Sequence, residues 1–241
     1  MTTIVTAFIS NINNNFKPLE RYFENGEKLI NINIPKIIFI EKKFLNKFKM
    51  FENTHTIFIP FEKKELFLFN YINKLSDIQL PCVIHLKKDT LEYFSVQLNK
   101  TEWIKKAIEI NPYKTSQFIW IDFGINHIIK NSEILKEVVL NCQKKIYNKV
   151  RIASIWDLDY TVTLESQIKN KPFWFFAGGV FGGNKDKLIE FANKVKIKIE
   201  EMIKEKYIMW EVNVWYLVYK ENKDLFNCYK SDHNLSILSN Y

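Results

Sequence analysis

The chain has 241 residues, of which 47% are hydrophobic and 26% are charged. This length suffices for one full hydrophobic core, and the composition is that of a globular protein, which excludes disordered and fibrous classes. The formal net charge is +8, from 35 Lys and Arg against 27 Asp and Glu. Because the two signs are interleaved along the chain, we expect a solvated basic surface and no nucleic-acid partner.

The cysteines and the apolar runs indicate in which cellular compartment the protein is expected. The three cysteines are an odd number and lie far apart, at Cys82, Cys142 and Cys228. This spacing indicates buried thiols in a reducing environment and disfavours disulfides and zinc clusters. The first residues lack the pattern of a signal peptide, and no apolar run has the length of a membrane span. We therefore expect a cytoplasmic protein without a transmembrane segment.

Apolar spacing and β-branched residues predict alternating strands and helices in the first half of the chain. The predicted strands are 2–9, 36–40, 56–61, 117–123 and, more weakly, 81–86. The predicted helices are 19–29, 62–75 and a third that contains residues 103–108. We expect Thr101 to cap the third helix and Asn111-Pro112 to end it.

The alternation continues in the second half. We predict a helix at 132–146, a strand at 150–155, an apolar stretch at 173–181, a helix that begins near Asn184 or Asp186, and a strand at 225–229. Residues 209–219 fit a helix or a strand by pattern. This order predicts one α/β sheet covered by helices. In such sheets, ligands bind beyond the carboxyl ends of the strands.

One acidic residue, Asp122, stands at such a strand end, in the segment Trp120-Ile121-Asp122-Phe123-Gly124. A carboxylate in this position suits a divalent cation that is held against a diphosphate. The alternative interpretation is that Asp122 only caps a turn before Gly124.

Four of the six glycines lie in residues 176–183, directly before a predicted helix. Glycines allow a ligand to approach the backbone closely, and a helix start offers unpaired N–H groups. The segment lacks the Gly-Lys-Ser/Thr ending of a P-loop. The alternative is a tight turn from strand to helix.

Two further residues are candidates for chemistry. Glu211 follows Trp210, and a carboxylate beside an indole is suited to acid–base or nucleophilic work. A surface glutamate at a helix start explains the same pattern. His233 follows Asp232 and is either a metal ligand or a residue of the tail, whereas the other histidines show no metal-ligand spacing.

Several segments, taken in order, resemble the HtrL/YibB family, whose members are associated with surface-polysaccharide assembly. They are residues 3–8 (TIVTAF), 111–113 (NPY), 118–124 (FIWIDFG), 176–183 (FAGGVFGG) and 231–234 (SDHN). The resemblance implies a single GT-A-like (Rossmann-like) α/β domain over residues 1–241, with a mixed central sheet covered by helices on both faces. Residues 1 to about 125 would bind a nucleotide sugar, and residues 126 to 241 an acceptor.

The resemblance also implies roles for individual residues. The donor-binding residues are Thr6, Ala7, Phe8, Asp122 and Gly124, and the sugar- or acceptor-binding residues are Gly178, Gly179 and Trp210. Glu211 is the catalytic residue by a looser similarity to blood-group-type retaining transferases. Since Asp122-Phe123-Gly124 lacks the second aspartate of an Asp-x-Asp motif, we expect Asp122 and His233 together to hold Mn²⁺ or Mg²⁺.

The implied function is hexosyl transfer from a nucleotide sugar, with UDP-sugars favoured, to a glycan acceptor, with either retention or inversion. The alternative is a non-catalytic carbohydrate-binding protein with a degenerate GT-A fold, and the missing aspartate favours it. The predicted partners are the nucleotide sugar, the glycan acceptor and, as a possibility that the sequence leaves open, further copies of the same chain in a homo-oligomer.

Overall fold

A computed structural model describes residues 1–10, 18–72, 77–82, 85, 88–129, 131–158 and 167–241. Its strands are β1 (Thr2–Phe8), β2 (Lys36–Glu41), β3 (Thr56–Phe61), β4 (Gln117–Ile121), β5 (Val150–Ser154), β6 (Phe176–Asn184) and β7 (Phe226–Lys230). They form one seven-stranded sheet in the order β3-β2-β1-β4-β6-β5-β7.

The sheet is mixed. Strands β3, β2, β1 and β4 are parallel to one another, and β5 is parallel to β7, whereas β6 is antiparallel to both β4 and β5. The chain runs outward from β1 to β2 and β3 and then returns to place β4 on the other side of β1. This reversal between β1 and β4 creates a crevice at their carboxyl ends, which is where open α/β sheets bind ligands.

Helices cover both faces of the sheet. They are α1 (Leu19–Ile30), α2 (Leu45–Phe48), α3 (Phe69–Ile72), α4 (Leu91–Leu98), α5 (Lys100–Ile110), α6 (Asn126–Ile129), α7 (Ser132–Gln143), α8 (Lys185–Lys204), α9 (Glu211–Glu221) and α10 (Ser236–Ser239). Short 3₁₀ turns occupy Lys42–Phe44, Lys49–Phe51, Lys63–Glu65 and Lys223–Leu225.

The buried residues show which helices lie on which face. Val5 belongs to the core beneath α4, α5, α8 and α9, whereas its neighbour Ile4 belongs to the core beneath α7 and α10. A third cluster joins β1 and β2 to α1 and α2. Successive residues of a strand thus face opposite helix layers, as a doubly covered sheet requires. The predicted α/β class, with a mixed central sheet covered by helices on both faces, is confirmed.

Stacked aromatic rings anchor the centre of the sheet to α5. Trp103 and Trp120 are nearly parallel, with ring centroids 5.9 Å apart and an interplanar angle of 5°. Trp120 also stacks on Phe181 at 6.3 Å. Offset stacking of this kind stabilises beyond the buried area alone. It fixes the indole of Trp120 two residues before Asp122.

Three local predictions are wrong for the residues that the structure describes, and two of them also include residues that it does not describe. Residues 62–75 do not form one helix, because Glu62 and Glu65 cap each other around a single 3₁₀ turn and α3 starts separately. Thr101 lies inside α5, which begins after Asn99. Pro81 and Cys82 are not in a strand. Residues 73–75, 83, 84 and 86 of these predictions lie outside the described residues.

The two predicted halves contribute strands to the same sheet, and the division near residue 125 stays a prediction. Among the helices that the structure describes, none combines the length and the apolar character that a membrane crossing requires.

One lysine at the far end of the sheet is unusual. Lys36 is the first residue of β2 and only 1% of it is exposed. Its ammonium donates hydrogen bonds to the backbone oxygen of Ile32 and, at 3.2 Å, to Oγ1 of Thr56. Burial lowers the pKa of Lys36 from 10.5 to about 8. The charged form is therefore less favourable in the folded protein than in the unfolded chain.

This shift predicts a pH-dependent stability. The unfolded chain binds more protons at Lys36 than the folded protein does between pH 8 and 10.5, so stability rises with pH through that window. Relative to a Lys36→Met variant, the wild type should gain about 2 kcal/mol of unfolding free energy from pH 7 to pH 9.5. Urea unfolding of both proteins at the two pH values measures this. A difference that stays constant would contradict the assignment.

Candidate active site

A cavity of about 1010 Å³ opens at the carboxyl ends of β1 and β4. Ala7 and Phe8 line it from the end of β1, and Asp122 and Gly124 line it from the loop after β4. Residues of α1, α4, α5, α6, α9 and α10 and the start of β6 also line the walls. This volume is at the upper end of the range for small-molecule and cofactor sites.

A buried ammonium lies between two carboxylates at the wall of this cavity. Nζ of Lys100 is 3.0 Å from Oδ1 of Asp122 and 3.1 Å from Oε1 of Glu211. It also donates a hydrogen bond to the backbone oxygen of Gly178 at 3.0 Å. The side chain of Lys100 is 4% exposed, that of Glu211 8% and that of Asp122 35%. We call Lys100, Asp122 and Glu211 the ion cluster.

Three separate elements bring the ion cluster together. Lys100 is the first residue of α5, and Glu211 is the first residue of α9. Asp122 follows β4, where its backbone N–H donates to the oxygen of Gly179 at 2.9 Å and so continues the pairing with β6. A carboxylate in the first turn of a helix is favoured by the helix dipole, which suits Glu211.

The charge of Lys100 is maintained by its neighbours. Burial acts to lower the pKa of Lys100, but the carboxylates of Asp122 and Glu211 more than offset this, so the pKa is raised above 10.5. The pKa of Tyr93, on α4, is also raised, but for a phenol a raised pKa favours the neutral form. Burial, followed by the negative charges of Glu211 and Asp89, raises the pKa of Tyr93 well above 10, so its phenol stays neutral.

The Asp122 carboxylate is already well occupied by donors. The indole N–H of Trp120 donates to Oδ1 at 2.7 Å, and the ammonium of Lys100 contacts both carboxylate oxygens. His233 lines the same cavity, but its ring packs edge-on against Trp174, with centroids 4.6 Å apart.

In the described part of the chain, no three His, Cys, Asp or Glu side chains are grouped so as to hold a metal. A cationic side chain already occupies the space beside Asp122, so this donor set does not fit a metal held by the protein alone. Mn²⁺ or Mg²⁺ at Asp122 and His233 stays a prediction.

The paired glycines lie inside a strand. The predicted helix, α8, does begin directly after this segment, at Lys185 with Asn184 as its cap, but Gly178, Gly179, Gly182 and Gly183 themselves belong to β6. The absence of a side chain at Gly178 and Gly179 leaves room for neighbouring groups. A Cβ on Gly178 would overlap Oε1 of Glu211, and a Cβ on Gly179 would lie 3.3 Å from Ile125.

Most of the predicted site residues share the large cavity. It is lined by Ala7, Phe8, Asp122, Gly124, Gly178, Gly179, Glu211 and His233. Thr6 is not among the lining residues, since it is fully buried in β1, and its Oγ1 has no hydrogen-bond partner among the described residues. Trp210 is also absent from the large cavity, because it packs edge-on against Phe94 and faces a second, smaller one.

Lys100 is the site residue that the sequence reasoning missed. A signal was present, since Lys100 lies three and four positions before Trp103 and Ile104, on the apolar face of α5. A lysine on the buried face of a helix needs an anionic partner. Among 35 basic residues this one position did not stand out.

The second cavity has a volume of about 250 Å³ and lies beside the first. The two share the lining residues Lys88, Tyr93, Trp174 and Glu211. His85, Asp89, Pro172, Trp210 and Val212 complete the smaller one. Glu211 therefore stands at the boundary between a large and a small compartment.

Comparison with known proteins gives one family match. A family model described as "Bacterial protein of unknown function (HtrL_YibB)" matches residues 1–235. No curated protein sequence matches significantly.

Among the solved structures to which the chain is similar are two from different organisms. One is mouse xyloside xylosyltransferase 1 in its apo form, with 11% identity, coverage of 95% of this chain and 85% of that one, and a TM-score of 0.43. The other is 4-diphosphocytidyl-2C-methyl-D-erythritol synthase from Anaerococcus prevotii DSM 20548, with 8% identity, 97% and 88% coverage and a TM-score of 0.48.

The lack of space around Gly178 leads to a prediction about stability. Gly178→Ala should lower the free energy of unfolding by about 1–3 kcal/mol, because the new methyl group displaces the buried Glu211 carboxylate. Gly124→Ala is the matched control, since the nearest atom to its Cβ would be Cδ1 of Tyr22 at 4.0 Å. Urea unfolding of both variants tests this. Equal stabilities would show that Gly178 is not constrained by Glu211.

Proposed function

From the premise that the chain belongs to the HtrL_YibB family, we propose that it is a glycosyltransferase that moves a hexosyl group from a nucleotide sugar to a glycan acceptor. The observation that carries the proposal is the ion cluster. Two carboxylates from distant parts of the chain meet one ammonium at the wall of a large cavity, at the ligand-binding edge of the sheet. Catalytic groups in a cleft are commonly held in this way.

The cavity suits an anionic donor. Besides Lys100, Lys43 and Lys88 line it. The ammonium of Lys43 is paired with Glu41 at 3.0 Å, so Lys88 is the main source of positive charge near the walls. Lys88 is held over the ring of Tyr93, with Nζ 4.9 Å from the ring centroid. A diphosphate is attracted by such a field, and the apolar side chains of Phe8, Phe44 and Tyr22 offer surface for a base or a sugar. A UDP-sugar is the favoured donor.

The transfer breaks the bond between the anomeric carbon and the donor phosphate oxygen, and the electron pair leaves with the nucleoside diphosphate. The acceptor hydroxyl oxygen forms the new glycosidic bond. Its proton passes to the carboxylate of Glu211, which therefore acts as the general base. This course inverts the anomeric configuration. If Glu211 instead attacked the anomeric carbon first, the product would show retention, so the product anomer separates the two courses.

Lys100 and Asp122 prepare Glu211 for this role. The ammonium holds Oε1 of Glu211 in a fixed direction, and Asp122 binds the same ammonium, so the ion cluster carries one net negative charge. Preorganised charges in a site that excludes water stabilise developing charge without rearrangement. No step depends on a metal, although a divalent cation brought in with the donor diphosphate would supply additional charge neutralisation to the leaving group.

A thermal-shift screen of UDP-, GDP- and dTDP-sugars, each with and without Mn²⁺, identifies the donor. We expect one class of nucleotide sugar to raise the melting temperature selectively, since a ligand at 100 times its Kd stabilises by about 2.7 kcal/mol. Enhancement by Mn²⁺ would support the metal prediction. The alternative, a non-catalytic carbohydrate-binding protein, predicts no response to any nucleotide sugar.

With that donor, Glu211→Gln should reduce sugar transfer by at least about 100-fold and leave donor binding within about threefold of wild type. The amide keeps an oxygen for Lys100 but does not accept the proton. Glu137→Gln, which changes an exposed carboxylate on α7, is the matched control and should transfer normally. Normal transfer by Glu211→Gln, or no transfer by the wild type to any glycan, would contradict the proposal.

A further inference from the structure

We propose that the smaller cavity is the subsite for the terminal pyranose ring of the acceptor, and that Asp89 accepts a hydrogen bond from one of its hydroxyls. The proposal rests on the proposed glycosyl transfer and deepens it, because it names where the acceptor binds and which residue recognises it.

Asp89 has an unused acceptor atom. Only 7% of the residue is exposed, and its Oδ2 accepts the backbone N–H of His85 at 2.8 Å. The backbone N–H of Asp89 in turn donates to the oxygen of His85 at 2.9 Å. Oδ1 is buried as well and has no hydrogen-bond partner in the described part of the chain. A buried acceptor without a partner is unfavourable, which is characteristic of a position completed by a ligand.

The walls of the small cavity suit a sugar. Trp174, Trp210, Pro172 and Val212 present apolar surface to it, and Asp89 and Lys88 present charge. Trp210 is fixed by an edge-to-face contact with Phe94, with centroids 5.2 Å apart. A pyranose has apolar C–H faces that pack on aromatic rings and a rim of hydroxyls that need hydrogen-bond partners. Apolar walls with few polar groups are how proteins orient such ligands.

Size and position distinguish the acceptor from the donor. At about 250 Å³ the cavity has about a quarter of the volume of the large one, which suits one sugar ring and not a nucleotide sugar. Glu211 lines both cavities. An acceptor ring in the small cavity and a donor sugar in the large one would therefore approach Glu211 from two sides, as transfer of the hydroxyl proton to this carboxylate requires.

The test uses Asp89→Asn on the full chain. The amide oxygen can keep the bond from His85, and the amide nitrogen then replaces the unpaired Oδ1, so an acceptor becomes a donor. The probes are methyl pyranosides of glucose, galactose, mannose, xylose and N-acetylglucosamine at millimolar concentrations. Saturation-transfer NMR, with and without UDP, should show at least one that binds the wild type and binds Asp89→Asn at least about tenfold more weakly.

Asp224→Asn, an exposed carboxylate in the 3₁₀ turn before β7, is the matched control and should bind like the wild type. The melting temperature of Asp89→Asn should not fall, because the wild-type Oδ1 has no partner whose loss would destabilise the protein. If Asp89 had only a structural role, the substitution would lower the melting temperature.

Equal binding by Asp89→Asn, or no binding of any probe by the wild type, would overturn the assignment of the small cavity. Nucleotide-sugar binding, measured on the same samples, tests the proposed function separately. If a nucleotide sugar binds and no pyranoside does, only the acceptor subsite is wrong. If a pyranoside binds through Asp89 and no nucleotide sugar binds, the glycosyl transfer is wrong.

Discussion

The ammonium of Lys100 lies between two carboxylates that are distant in the sequence, and the geometry of the candidate site depends on this contact. Asp122 comes from the end of the central strand β4, and Glu211 from the start of α9. Without the ammonium, two negative charges would face each other in a largely buried position, which is strongly unfavourable. The contact therefore links the sheet to two helices that pack on one of its faces.

Other features of the core follow from this contact. Gly178 has no side chain because the Glu211 carboxylate occupies the space that a Cβ would need. The Trp103–Trp120 stack fixes the indole of Trp120, whose N–H donates to Asp122. The Asp122 carboxylate thus has two donors in fixed directions, this N–H and the Lys100 ammonium. The result is a site whose polar groups are held before any ligand arrives, a property that lowers the reorganisation needed for catalysis.

The sequence predicted the local parts of this arrangement well. Strands at 36–40 and 56–61 are evident from dense β-branched and aromatic residues, and Asp122 at a strand end follows from the apolar run before it. The glycine-rich segment was predicted to stand directly before a helix, as it does, but the strand that contains it was not predicted. In the fold, Gly182 lies so close to the backbone of Phe118 in β4 that a side chain does not fit. Only the neighbouring strand reveals this.

The ion cluster itself was beyond local patterns. Lys100 and Glu211 are 111 positions apart, and neither the period of a helix nor that of a strand relates them. The same holds for Asp89, whose unpaired oxygen becomes visible only when its surroundings are known. Asn184, which acts locally at the start of α8, and the carboxylates Asp122 and Glu211 were predicted from the sequence. Lys100 and Asp89, which act through tertiary contacts, were found only in the fold.

The central claim is that the Lys100 ammonium holds the site together, and a double-mutant cycle in urea unfolding tests it most directly. Lys100→Met should lose about 3–5 kcal/mol, and Lys100→Met combined with Glu211→Gln should lose at least about 1 kcal/mol less than the sum of the single variants. Lys106→Met, at a half-exposed position of the same helix, should lose less than about 1 kcal/mol. Losses that add within about 0.5 kcal/mol for Lys100 and Glu211 would contradict the claim.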